Sequence, residues 1–236
     1  KPNFLIPKPL LRTPAFWGAN IAHIFIGASL IIGMITVPLM ANTVMGLTSL
    51  EGGLWLVRMT AAIPIGAVLG GLACQRIDSR IPSVLGLLFI AIGFFLMSTW
   101  SISANSLSVT INLVVSGLGF GLLIAPISIA AIEHVNENLR GTAAGVVSAS
   151  RIIGMTLGTA AVTAWGSKRF IDISPTYEWP FQLNDETILE FNARMNQYQA
   201  KIIEAGTSVF NEFFLIAVAT SVIALIPVLF LTYNRR

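Results

Sequence analysis

Ser148-Ala-Ser-Arg-Ile-Ile-Gly-Met-Thr-Leu-Gly158 is an apolar stretch rich in small residues, and it carries one full charge, Arg151. Thr60-Ala-Ala-Ile-Pro-Ile-Gly-Ala-Val-Leu-Gly70 reads much like it. Gly66 to Gly154 and Gly70 to Gly158 are both steps of 88 residues. The same step takes Gly33 to Gly121, Gly53 to Gly141 and Pro38 to Pro126. Residues 14–100 hold 11 glycines and residues 102–188 hold 8, so four glycine coincidences are found where chance gives about one. The chain contains a duplicated unit.

Composition fixes the class of that unit. Hydrophobic residues make up 55% of the 236 and charged residues 11%, with a mean hydropathy of +0.79, whereas a soluble domain carries about 25% charged residues. Six long, nearly uncharged runs read as membrane spans, at about 15–40, 53–74, 81–100, 106–132, 141–165 and 208–232. Each is long enough, at about 1.5 Å per residue, to cross a hydrocarbon core about 30 Å thick. The fold class is therefore an all-α membrane protein. Its layout is a linker at 1–13, one triple of helices at 14–100 and a second at 101–236. The net charge is only +3 and the basic residues sit at span ends, which argues for membrane topology and not for nucleic acid. A single cysteine, Cys74, excludes an internal disulfide.

Orientation follows from Lys and Arg. Lys1, Lys8, Arg12, Arg76, Arg80, Arg140, Arg235 and Arg236 fall on one side, while the short loops at 41–52 and 101–105 hold no basic residue. Both termini are expected in the cytoplasm. Three helices are an odd number, so the second triple is inverted relative to the first, an arrangement that recurs in secondary transporters. In the long loop 166–207, Ile188, Phe191, Met195, Tyr198 and Ile202 recur at helical spacing, with Asn184 as a plausible cap. This predicts an amphipathic helix on the outer membrane surface.

With the inverted triple in hand, Arg140-Gly-Thr-Ala-Ala-Gly145 leading into Ser150-Arg-Ile-Ile-Gly-Met-Thr-Leu-Gly158 resembles the penultimate span of the fourteen-span drug:proton antiporters of the major facilitator superfamily. The long outer loop before a last apolar span is also similar. Gly71-Leu-Ala-Cys-Gln-Arg-Ile-Asp-Ser-Arg80 resembles that superfamily's cytoplasmic loop motif, with Gln75 at the usual acid position and Asp78 at the usual glycine. The resemblance implies half of such a fold, preceded by an N-terminal half that this chain lacks. It implies proton-coupled efflux of small amphipathic compounds or drugs from a cell membrane by alternating access. A transporter for one metabolite or siderophore, and a non-transporting six-span scaffold, are the alternatives. No cofactor or metal is implied.

Candidate site residues follow from burial cost. Arg151 lies near the centre of span five, and leaving it in lipid would cost about 2.5–3.5 kcal/mol, so it should face the bundle interior or a wet cavity. Arg58, five residues inside span two, can instead snorkel outward or line a cavity rim. Asn20 and His23 share a face of span one, and His23 is a side chain within a span that can titrate near neutral pH. Ser108, Asn112 and Ser116 form a polar stripe on span four, suited to a cavity wall or to bonds between helices. Gly66/Gly70 and Gly154/Gly158 are GxxxG pairs for close, sliding contact, and Pro38, Pro64 and Pro126 should bend their helices. All eleven acidic residues fall in loops or at span ends, so a mid-membrane proton carrier is expected in the other half. Spans three and six are the greasiest and should face lipid, leaving spans one, two, four and five around the cavity.

Overall fold

The computed structural model describes residues 10, 13–133, 135–173, 179–183 and 186–231. Six long helices carry the chain: α1 (Pro14–Thr43), α2 (Ser49–Cys74), α3 (Arg80–Met97), α4 (Ser106–Glu133), α5 (Glu137–Ile173) and α6 (Ile188–Ile223). A four-residue turn of helix, α7 (Leu225–Val228), follows α6 and contains Pro227. Each of the six is long and apolar enough to cross a membrane. Residues 1–9 and 11–12 of the linker, Asn184, Asp185, His134 and the terminal bases lie outside the described residues.

Local sequence accounts for the ends. At α2, the Thr48 side chain accepts from the Glu51 amide and the Glu51 carboxylate accepts from the Thr48 amide, a reciprocal cap. Thr187 and Glu190 repeat it at α6, which places the cap three residues beyond Asn184. Pro38, Pro64 and Pro126 all lie inside continuous helices.

Packing shows the duplication. α1 lies chiefly against α5 and α6, and α4 chiefly against α2 and α3, while α3 and α6 meet each other. Exchanging α1 with α4, α2 with α5 and α3 with α6 leaves this neighbour pattern unchanged. The fold is a 3+3 inverted repeat. Phe94 is wedged between Phe120 and Phe214 at ring separations of 6.0 and 6.1 Å, tying α3, α4 and α6 at the centre. α1 and α4 are the most buried spans and α2 and α5 the least.

The glycines set the register between helices. Gly66 and Gly70 of α2 press on the carbonyls of Leu118 and Leu122 of α4. Gly154 and Gly158 of α5 press on Ile24 and Ala28 of α1. In return, Gly121 sits on Ile63 and Ala67, and Gly27 on Arg151 and Met155. The α2 and α5 partners differ by the 88 residues read from the sequence (63 to 151, 67 to 155). The α1 and α4 partners differ by 94 (24 to 118, 28 to 122). The structural mate of Gly121 is thus Gly27 rather than Gly33, and Pro38 is not the mate of Pro126. The second copy reaches its middle helix six residues sooner: α4 ends 12 residues after Gly121 where α1 runs 16 past Gly27, and the connection that follows is two residues shorter.

One expected element takes another form. The amphipathic segment before span six is not a separate surface helix; it is the first half of α6, which runs unbroken for 36 residues, about 54 Å. Nothing between Glu204 and Ser208 stops it: there is no proline, and Gly206 packs toward Val44. A break there would also leave a turn of backbone amides and carbonyls without partners. α5, at 37 residues, overshoots a membrane core in the same way. The apolar face of early α6 carries loop residues, with Trp179 edge-on to Tyr198 at 5.4 Å. The Arg194 guanidinium donates to the Glu186 carboxylate and, at 2.9 Å, to the Phe181 carbonyl.

Two outcomes follow. Gly154→Ala drives a methyl into the Ile24 carbonyl and should destabilise the bundle by about 1–3 kcal/mol. Gly145→Ala, where a methyl meets open space, should be neutral or slightly stabilising; thermal unfolding in detergent separates them. The Arg194 hydrogen bonds hold the Glu186 carboxyl below its ordinary value, so the tie is complete above the usual carboxylate range near ~4.3 and is lost as pH falls through the lowered value. Hydrogen exchange across 181–194, corrected for intrinsic rate, should stay constant from about pH 7 to 5 and rise only below ~4. A rise already at pH 6 would contradict this tie.

Candidate functional site: the α1–α5 seam and the open faces beside it

α5 meets α1 as a parallel pair, since Ile24 faces Gly154 and Ala28 faces Gly158. Backbones approach this closely only because neither glycine has a Cβ. Ser150 and Arg151 flank the seam one turn before Gly154. The Ser150 hydroxyl donates to Asn20 Oδ1 at 2.8 Å, and Asn20 Nδ2 donates to the Phe16 carbonyl at 2.7 Å. This chain of two bonds crosses from α5 to α1 and fixes their rotation.

Beside it, His23 is buried, with Nδ1 3.0 Å from the Ala19 carbonyl, so that nitrogen carries the proton and donates. Its Nε2 is buried without a hydrogen-bond partner. Arg151 is half-buried, and among the described residues its guanidinium has no hydrogen-bond or ion-pair partner. Its backbone carbonyl lies against Gly27, one turn along α1 from His23. Asn20, His23 and Arg151 therefore form one cluster, with Ser150 as the member that sequence reasoning passed over. Adjacency to Arg151 was the available signal for it.

The remaining candidates lie elsewhere. Arg58 donates from Nη1 to Thr110 Oγ1 at 2.7 Å, a strap from α2 to α4; Thr110 passes its own proton to the Ser106 carbonyl at 2.8 Å. Asn112 and Ser116 are buried inside the bundle and not on an open wall. Asn112 satisfies both ends of its amide, accepting from Trp100 Nε1 at 3.1 Å and donating to the Ser108 carbonyl at 3.2 Å. Ser116 bonds the Leu113 carbonyl at 2.9 Å, with Gly93 of α3 against it. Helical spacing gave the stripe but not its direction: α3 covers Ser116, Trp100 covers Asn112, and Ser108 alone stays exposed among the three. Ser29, unnoticed in the sequence, bonds Ala217 and Ser221 at 2.8 Å and joins α1 to α6.

The open faces are apolar. On α2, Ile65, Val68, Leu69 and Leu72 are each more than half exposed; on α5, Ile152, Ile153 and Leu157 are too. α2 and α5 do not pack on each other, so their free faces flank the exposed sides of α1 and α4. The arrangement offers an apolar surface beside which Arg151 is a half-buried charge in the middle of α5. Glu212, the acid furthest along α6, is held near the α5 end by Trp165 Nε1 at 3.1 Å and Arg169 Nε at 2.9 Å.

Comparison with known proteins agrees with this architecture. A sequence model of the Major Facilitator Superfamily matches residues 1–159. A protein of Mycobacteroides abscessus named as a triacylglyceride transporter is 33% identical over 176 residues, covering 70% of this chain and 34% of that protein. One of Mycolicibacterium smegmatis with the same name is 31% identical over 229 residues, covering 93% of this chain and 41% of that protein. A probable triacylglyceride transporter of Mycobacterium leprae is 33% identical over 217 residues, covering 87% and 41%. The chain spans between a third and about two-fifths of the length of these relatives.

Ser150→Ala removes the donor to Asn20 and strands its carbonyl oxygen between helices. The expected cost is about 0.6–2 kcal/mol. Ser150→Thr should keep most of it, and unfolding in detergent checks both. Equal stability of Ser150→Ala and wild type would mean that the bond does not hold the seam.

Proposed function

The chain belongs to the Major Facilitator Superfamily, and on that premise we propose that it forms one half of a proton-coupled secondary transporter that exports amphipathic, lipid-like molecules from the cell membrane by alternating access. The observation that carries this reading is the pair of exposed, almost wholly aliphatic faces on α2 and α5, beside a seam holding one half-buried, unpaired arginine. A second six-span half closes those faces and completes the cavity. An aliphatic wall with a single polar node suits a cargo with long apolar chains and a small polar centre, better than a sugar or an ion. The printed names of the relatives support an acylglycerol as that cargo. The likeness of the 140–158 stretch to drug:proton antiporters favours a second reading, efflux of smaller amphipathic drugs, through the same cavity.

Arg151 is the residue we assign to cargo contact or coupling, with His23 and Asn20 supporting it from α1. Arg58, Asn112 and Ser116 hold the wall behind. The GxxxG seams are the surfaces that slide when access alternates. The membrane-embedded proton carrier belongs to the other half, since the described acids other than Glu204 and Glu212 sit in loops or near helix ends and Glu212 is engaged by Arg169 and Trp165, and both termini of this segment face the cytoplasm.

Reconstitution of the intact protein in proteoliposomes tests the proposal. With an imposed proton gradient, wild type should move a fluorescent triacylglycerol analogue, and Arg151→Ala should lower the rate at least about tenfold, equivalent to about 1.4 kcal/mol. Transport of ethidium with no movement of the lipid analogue would select the drug reading. Equal rates for Arg151→Ala and wild type, at equal protein incorporation, would reduce Arg151 to a packing role.

A further inference from the structure

Between the ends of α5 and α6 that carry Trp165 and Glu212 lies a pocket of about 510 Å³, within the ~300–1,000 Å³ range of small-molecule sites. Its composition is graded. Leu215 and Ile216 of α6 form an apolar wall, and Trp165 forms the rim. Beyond them stand Lys168, Arg169, Asp172 and Glu212. Trp165 is 14 residues along α5 from Arg151, about 21 Å, which is the depth of lipid headgroups in a bilayer about 40–45 Å thick overall. An indole at that level is an interfacial anchor.

The charges divide into a used pair and an unused pair. Glu212 places one carboxylate oxygen on Arg169 and the other on Trp165, so those three groups satisfy each other and build the pocket wall. Lys168 and Asp172, one helical turn apart on α5, both line the pocket. Among the described residues neither has a hydrogen-bond or ion-pair partner, and they do not pair with each other. A cation and an anion held about one turn apart, above an apolar groove, match a molecule with a phosphate, an amine a few atoms away and an acyl chain.

We propose that this pocket binds a phosphatidylethanolamine molecule of the surrounding leaflet, with its phosphate on Lys168, its ammonium on Asp172 and an acyl chain along Leu215 and Ile216. The site is separate from the Arg151 cluster and does not depend on what the protein transports. A bound lipid there covers the exposed flank of the α5–α6 contact that Glu212 makes with Arg169 and Trp165.

Native mass spectrometry of the intact protein in detergent, with added phosphatidylethanolamine or phosphatidylglycerol of identical chains, tests this. Wild type should retain phosphatidylethanolamine over phosphatidylglycerol by about fivefold, the value of one interfacial charge contact. Asp172→Asn should abolish that preference, Asp172→Glu should restore it, and Lys168→Gln should lower retention of both lipids by about fivefold. Thermal unfolding without lipid should be the same for all four proteins, because among the described residues neither side chain has a hydrogen-bond or ion-pair partner. No preference in wild type, or a preference that survives Asp172→Asn, overturns the assignment. Because binding is read without transport, its failure leaves the proposed function standing, and the reverse also holds.

Discussion

Everything in this bundle depends on two places where backbone lies on backbone. In lipid the hydrophobic effect does not drive helices together, so association rests on close packing and on hydrogen bonds between helices. The Gly154/Gly158 seam on α1 and the Gly66/Gly70 seam on α4 supply that packing, and Gly27 and Gly121 receive them from the other side. Sparse polar bonds then fix rotation: Ser150 to Asn20 across one seam, Arg58 to Thr110 across the other, and Ser29 to α6. Seams without side chains are tight and smooth, the property required of contacts that slide.

The same constraint explains the open surfaces. α1 spends its faces on α2, α4, α5, α6 and α7, and α4 on α1, α2, α3 and α5, and the two become the centre. α2 and α5 spend only a narrow glycine face, and their aliphatic backs remain free. Arg151 sits at the border, with its backbone locked on Gly27 and its guanidinium without a hydrogen-bond or ion-pair partner among the described residues. A charge in that position is costly in hydrocarbon and therefore points to a wet or polar surface facing these helices. Family membership and a transporter reading meet at this residue.

Much of this was legible in the residues. Hydropathy and length gave six spans because lipid forces every backbone group into a helix, and the glycine spacing gave the duplication. The 88-residue step held for α2 and α5 because their glycines are constrained by contact. It misled for α1 and α4: Gly33–Gly121 and Pro38–Pro126 coincide in sequence, while packing pairs Gly27 with Gly121. Direction was the other limit. Periodicity placed Asn112 and Ser116 on one face but could not say that Trp100 and α3 cover them. It found an apolar face at 188–202 but could not distinguish a helix lying on a membrane from one continuing into it. Hydropathy assigned 166–207 to a loop, which hid that Lys168 and Asp172 stand one turn apart on α5.

An experimental structure of the intact protein in a lipid nanodisc tests the inverted seam most directly. A half-turn about an axis in the membrane plane should carry α1–α3 onto α4–α6, laying Gly27 on Gly121 and Gly66 on Gly154. A superposition that instead lays Gly33 on Gly121, or one in which no such half-turn aligns the triples, would contradict the account.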